Sequence, residues 1–207
     1  LLPEDEGDGR LASGPCVNLQ CRQMACAGGS PTTLSGTVYT PAGSLPLNNV
    51  TVYVPNAELE PLVEGASCST CDASVSGSPV VAALTDTAGR FTLTDVPVGE
   101  NIPLVMQVGK WRRLVTLPRV DPCTENVLTD VGLTRLPANQ SEGDLPRIAL
   151  STGALDALEC LLRKVGISDS EFTNPEGTGR VQLFAGHQGT SSYDTTLLAR
   201  LNRESSG

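Results

Sequence analysis

The sequence predicts a mainly β protein, a β-sandwich of seven or so short strands followed by a short, incomplete α/β segment. Three observations carry this. Val, Leu and Thr alternate with polar residues in short runs bounded by Gly, Pro, Asn and Asp, the pattern of half-buried strands between turns. The 207 residues include 15 Pro and 21 Gly, a usage that favours many strands and turns over long helices. Past Pro137 the alternation gives way to a polar linker and then to apolar residues at helical spacing.

The chain is organised around residues 34–118, and most legibly around 85–99. Asp86 and Gly89 are turn formers, because Asp bonds its own backbone and Gly accepts positive φ. Arg90-Phe91-Thr92-Leu93 then alternates with Phe91 and Leu93 on one face. Val96-Pro97-Val98-Gly99 ends that strand, since Pro donates nothing to a ladder. Before this centre, residues 33–39 form a first strand with Leu34, Gly36 and Val38 on one face, and residues 50–54 a second with Val50, Val52 and Val54 inward. A long loop through Ser78 carries Cys68-Ser69-Thr70-Cys71. Residues 80–85 give a third strand and 90–93 a fourth. Residues 102–108 and 113–117 give a hairpin turning at Gly109-Lys110, and 126–136 a last extended segment. The expected core includes Val38, Val50, Val52, Val54, Phe91, Leu93, Leu104 and Val115.

Upstream, residues 1–15 are acidic and Gly-rich. Such a run buries too little apolar surface to offset its ordering entropy, and it reads as a solvated tether from an anchor to a domain. Cys16, Cys21 and Cys26 follow at intervals of five, a knot before the first strand. Downstream, Arg147-Ile148-Ala149-Leu150 is a short buried-type strand. Residues 154–165 are a helix with Leu155, Leu158, Leu162 and Val165 along one face, ended by Gly166, and residues 180–184 are another strand. Strand, helix, strand begins a parallel α/β unit.

The segments Leu34-Ser35-Gly36-Thr37-Val38-Tyr39, Pro46-Leu47-Asn48-Asn49-Val50-Thr51-Val52 and residues 85–99 resemble the carboxypeptidase regulatory-like domain. That resemblance covers about half the chain. It implies a seven-stranded, transthyretin-like sandwich that serves as an accessory fold without catalytic residues of its own. The long cysteine-bearing insertion departs from the short family pattern. Trp111-Arg112-Arg113, Ser141-Glu142-Gly143-Asp144 and Leu161-Leu162-Arg163-Lys164-Val165-Gly166-Ile167 are similar to stretches of longer exported proteins of gliding bacteria. Those proteins continue through an α/β domain, which implies that this chain ends within one.

Composition narrows the function. Apolar residues are 39% of the chain and aromatics 3%, so the core is built from Val, Leu, Ile and Ala. With so few aromatics, stacking platforms for a carbohydrate-binding module are lacking. Net charge is −9. The most basic cluster, Lys110-Trp111-Arg112-Arg113, is short of the basic stripe that nucleic acid needs, and it reads as a solvated strand end at a turn. No stretch has the apolar length of a membrane span. Leu1 reads as the start of a processed or trimmed chain, its export signal removed. Cys16, Cys21, Cys26, Cys68, Cys71 and Cys123 sit in loop-like sequence and are the disulfide candidates, which points to an oxidising compartment. Cys160 falls opposite the apolar helix face and is the expected odd thiol, free or meant for an external partner.

The remaining candidates weigh toward structure. Cys68 and Cys71 are half a zinc site, and a structural zinc needs four ligands. They lie in a Ser/Gly loop, where a thioredoxin-like role does not fit. Ser151-Thr152-Gly153 before a helix offers free N–H groups to an anion, yet it lacks the Lys and Gly spacing of a P-loop, and helix capping explains it. His187 with Ser191, Ser192 or Asp194 lacks a nucleophile elbow. Asp86, Asp95 and Asp121 show no EF-hand spacing for calcium. Trp111 at a hairpin tip is a binding handle or a packing residue.

The expectation is three parts: residues 1–30 as acidic tether and cysteine-rich arm, 31–137 as the sandwich, and 138–207 as linker and start of the α/β segment. The function expected is a non-enzymatic extracellular or cell-surface structural and adhesion module without cofactor or metal, assembling through strand edges or its N-terminal arm. Its partners are other protein chains, itself included, with room for a lipid anchor upstream and no nucleic acid. The alternative is the accessory region of a larger hydrolase-like α/β enzyme.

Overall fold

The structure, a computed structural model, describes residues 15–28, 30–65, 75–153 and 158–186. The fold is mainly β. Its first strands are β1 (Thr33–Thr37), β2 (Thr51–Pro55), β3 (Pro79–Leu84), β4 (Arg90–Thr94), β5 (Gly99–Val108), β6 (Trp111–Val120) and β7 (Glu125–Val127). They make one sheet of order β4-β1-β7 and a second of order β3-β2-β5-β6. The four-stranded sheet is antiparallel, whereas β1 pairs antiparallel with β4 and parallel with β7.

Alternation places the core. Leu34, Val52, Val54, Phe91, Leu93, Ile102, Leu104, Met106, Val115 and Leu117 come from both sheets and close into one buried cluster with Val38 and Val50. This is the inner layer of a sandwich, filled by every second residue of each strand. The turn between β3 and β4 is as the residues dictate. Asp86 Oδ1 accepts from Ala88 N and Arg90 N at 2.8 Å each. Gly89, at φ 74°, lies so close to Pro46 and Leu47 that a Cβ would collide.

Two elements differ from the sequence expectation. β1 stops at Thr37, and Tyr39 instead bridges Pro46 and Arg135. Residues 126–136 are not one extended segment. β7 ends at Val127, and a short helix α1 (Val131–Thr134) follows, because Asp130 caps it by accepting from Gly132 N.

The outer face of the four-stranded sheet is also covered. Tyr53 points away from the sandwich core yet is 0% exposed. The insertion between β2 and β3 lies over it: Asn56 N donates to Gly77 O, and Arg112, on β6, donates to Glu60 O and Ser76 Oγ. Burial pushes the Tyr53 phenol above its usual range, against the lowering effect of Arg112 and Ser76.

The described part of the N-terminal arm, residues 15–28, lies along one end of the sandwich. A 3-10 turn at Asn18–Arg22 is closed by the Cys16–Cys21 disulfide, and Cys26 is bonded to Cys123 across 97 residues. Gln23 Nε2 donates to Asp95 O, and Arg22 donates to Glu100 O.

After α1 comes the second unit: β8 (Ile148–Thr152), α2 (Leu158–Lys164), β9 (Phe172–Thr173) and β10 (Val181–Ala185). β10 is central and runs parallel to both β8 and β9. Leu145, Leu150, Ile167, Phe172, Val181 and Leu183 form its small core, with Leu162 and Val165 of the helix region packed on it. Leu158 does not join the inward face expected for it. It is 48% exposed, because the packed end of α2 is its C-terminal turn, where Val165 O accepts from Ala42 N of the sandwich. Gly166, at φ 101°, lets the backbone meet Pro41 and Ala42 there, where a Cβ would overlap Ala42.

Candidate functional site

Two places on this framework are open to a partner. The first is the outer edge of β3. This strand pairs with β2 alone, and no described strand occupies its other side. Its residues, Pro79-Val80-Val81-Ala82-Ala83-Leu84, carry no charge. Val81 and Ala83 pack partly on the sandwich core, while Ala82 is exposed and Leu84 is 60% exposed. Of the described arm residues, Gln20 and Gln23 line a hollow with Pro79 and Val80 at the start of the strand. Edge strands are ordinarily blunted by charge, Pro or a bulge. Here the one Pro and the register shift at Val54/Pro55 fall at the strand's beginning, leaving the last four residues unblunted.

The second is a cleft of about 370 Å³ where insertion, hairpin tip and second unit converge. Glu64, Lys110, Asp144, Arg147 and Arg180 line it together with Leu62 and Leu145. Behind it stands Arg112, 6% exposed, whose Nε donates to Asp144 Oδ2 at 2.8 Å. The backbones of Arg112 and Asp144 also exchange both hydrogen bonds, so the linker continues the edge of β6 by one bridge. Lys110 Nζ donates to the carbonyls of Val63 and Gly65.

The basic cluster is therefore not the solvated strand end that the sequence suggests. Arg112 is buried under the insertion, and Arg113 donates to Arg135 O. Trp111 packs against both cores and donates from Nε1 to Pro137 O at 2.9 Å. Its role in this structure is to join the two units.

Beside the cleft the linker is held by two carboxylates. Glu142 takes a bidentate pair from Arg135 at 2.7 Å and an N–H from Ala138. The Arg135 hydrogen bonds, above all, hold its carboxyl down at about 2, despite burial that works the other way. Glu171, 3% exposed, accepts from Gln140 N, Gln140 Nε2 and Arg180 N. Neither carboxylate stands out in sequence, because both sit in polar runs that read as linker or loop.

The structure places the other candidates as follows. Cys16, Cys21, Cys26 and Cys123 are in the two disulfides, and Cys160, half-buried on α2, is in neither. Cys68 and Cys71 lie outside the described residues, as do His187, Ser191, Ser192 and Asp194. Ser151 and Thr152 end β8, and Thr152 Oγ1 donates to Phe184 O. Asp86 holds its turn and Asp121 pairs with Arg119. Asp95, at φ 57°, gives its carbonyl to the arm. Among the described residues no three His, Cys, Asp or Glu side chains gather as a metal site would require. Among them, too, no helix is long and apolar enough to cross a membrane. Residues 15–28 of the arm are not a free strand: Leu19 packs on the core, and Cys26 is bonded to Cys123.

No family model and no curated protein matches the chain. Solved structures that align with it include chains from two mutants of a type II cohesin–X-dockerin complex from Acetivibrio cellulolyticus. For the C-terminal interface mutant the identity is 15%, the TM-score 0.31, and the overlap 73% of this chain and 80% of that one. For the N-terminal interface mutant the corresponding values are 15%, 0.32, 66% and 85%.

Proposed function

We propose that this chain is a non-enzymatic structural and adhesion module, extracellular or at the outer cell surface, that joins protein chains, copies of itself first, through the outer edge of β3. The observation that carries the reading is that edge: an uncharged apolar strand with exposed Ala82 and Leu84 and an outer side that no described strand pairs. Such an edge is a template for strand addition, in which main-chain hydrogen bonds give affinity. The two disulfides support an oxidising compartment. We assign residues 31–137 to the carboxypeptidase regulatory-like, transthyretin-like class, 1–30 to tether and arm, and 138–207 to linker and the start of an α/β segment. The arm assembly expected from sequence is narrowed here to the β3 edge, because residues 15–28 are tied back onto the sandwich.

Ala82→Lys tests it. The position is exposed, so the fold tolerates a charge that the edge contact does not. By sedimentation velocity over a hundredfold concentration range, the native chain shifts to a dimer and the variant self-associates at least tenfold more weakly. A native chain that stays monomeric throughout, or a variant that assembles equally, sinks the reading.

A second reading has an observation of its own. β8, β9 and β10 are parallel, and parallel sheets are ordinarily covered on both faces. Here Ala149, Ser151 and Phe184 are exposed. This favours the accessory region of a larger hydrolase-like enzyme whose α/β domain starts near Leu145. A longer form of the protein that hydrolyses ester, amide or glycosidic substrates decides for it.

A further inference from the structure

We propose that the cleft between the hairpin tip and the second unit is a carboxylate-binding site, and that its occupant is the acidic run Glu4-Asp5-Glu6-Gly7-Asp8 of a second copy of the chain. The inference rests on the assembly reading only for the source of the peptide. The cleft is a separate surface from the β3 edge.

Three cations line the cleft, on a chain whose net charge is −9. Asp144, one of the two carboxylates lining it, is taken by buried Arg112. That leaves Glu64 alone against Lys110, Arg147 and Arg180. Among the described residues Arg147 is exposed and has no hydrogen-bond or ion-pair partner. Arg180 reaches Glu64 only at 3.5 Å, and its Nε is buried without an acceptor. A structural ion pair holds its guanidinium as Arg135 is held, bidentate at 2.7 Å. Arg180 is not held that way. It is fixed instead through its backbone N–H to Glu171, which positions the residue and leaves the guanidinium available.

Guanidinium groups take carboxylates in pairs of parallel N–H bonds. Glu64 and Asp144 at the rim disfavour a multiply charged phosphate and tolerate single carboxylates spaced along a peptide. The volume, about 370 Å³, is at the small end of ligand pockets, which run from about 300 to 1,000 Å³. It suits one or two acidic side chains. The complementary charge is in the sequence: Glu4, Asp5, Glu6 and Asp8, with Gly7 and Gly9 as the chain's most compact residues between and after them.

The test uses a labelled synthetic peptide of residues 1–14 and, as control, its amide form with Gln for Glu and Asn for Asp. Both are titrated into dilute full-length chain carrying Ala82→Lys, so that failure of the cleft and failure of the edge are read separately. The expected result is saturable binding of the acidic peptide, weakened as salt rises, at least tenfold weaker with Arg147→Glu, and absent for the amide control. Arg147 has no partner to lose, so that variant folds as the native chain does. Binding that is undetectable, or unchanged by Arg147→Glu, overturns the site. Repeating the titration on a chain whose own four acidic residues are neutralised assigns the source. Equal affinity supports a second copy, and markedly tighter binding overturns it in favour of the chain's own run.

Discussion

The sandwich and the second unit are built on opposite terms. In the sandwich, fifteen buried apolar residues from two sheets and the segments that connect them close on each other, and a disulfide joins residues 97 positions apart. In the second unit, among the described residues, six buried residues serve three short strands and one helix, and Ala149, Ser151 and Phe184 of its sheet are exposed. Much of what holds this smaller part comes from outside it: Trp111 from β6, Gln140 from the linker, and the backbone of Ala42. This contrast leads to the expectation that the sandwich holds by itself and the second unit holds by docking on it. Substitutions in the first should unfold the whole chain, and substitutions at the seam should release the second unit alone.

The largest effect separates the two. Phe91→Ala leaves a cavity where the ring meets Gly36 and is expected to cost about 3–5 kcal/mol, read as a global shift in urea unfolding of all probes together. A much smaller loss removes Phe91 from the core. Next, Cys26→Ser opens the long loop and is expected to cost about 2–5 kcal/mol. Its companion Cys16→Ser opens a bond between residues only 5 positions apart and costs less, since closure entropy grows with loop length. Equal losses from the two variants contradict the staple role of Cys26–Cys123.

A third variant addresses the seam. Glu171→Ala strands the donors Gln140 N and Arg180 N, and is expected to cost about 1–3 kcal/mol. Hydrogen exchange should rise in residues 148–186 and stay unchanged in β2 and β5. Equal acceleration everywhere shows one cooperative body instead of two. The smallest effect is on pH. Glu142 has its carboxyl lowered from 4.5 to about 2, so its contribution is full above about 4.5 and is lost as pH falls through about 2. Glu142 is partly exposed, which limits the pair to about 1 kcal/mol. Glu142→Gln should remove that much at neutral pH and flatten the acid limb of the seam's stability between those values. An unchanged limb assigns the acid sensitivity to other groups.

The same contrast explains what the sequence made legible. Val50, Val52, Val54, Phe91 and Leu93 announce their burial, because a period of two has one meaning in a half-buried strand. Tyr53 and Arg112 occupy the outward positions of the same period, and alternation assigns such positions to solvent. They are buried only because residues 56–65 and 75–78 fold back over the sheet. The length of that insertion, with an aromatic residue on the supposedly wet face, was the available signal. Glu171 and Glu142 carry no signal of their own, since their partners lie on other elements. The helix was legible in period but not in position: Val165 and Gly166 are fixed by the sandwich, a contact outside the helix's own pattern, and Leu158 is left exposed.

The claim on which the functional account turns is that the outer edge of β3 accepts a second chain. Amide exchange of residues 80–84, compared between dilute and concentrated protein, reads that edge directly. Protection there should rise with concentration and fall back in the Ala82→Lys variant, while the exposed linker around Ser141 exchanges at the same rate throughout. Assembly with no change in β3 protection, or protection that appears elsewhere and not in β3, contradicts it.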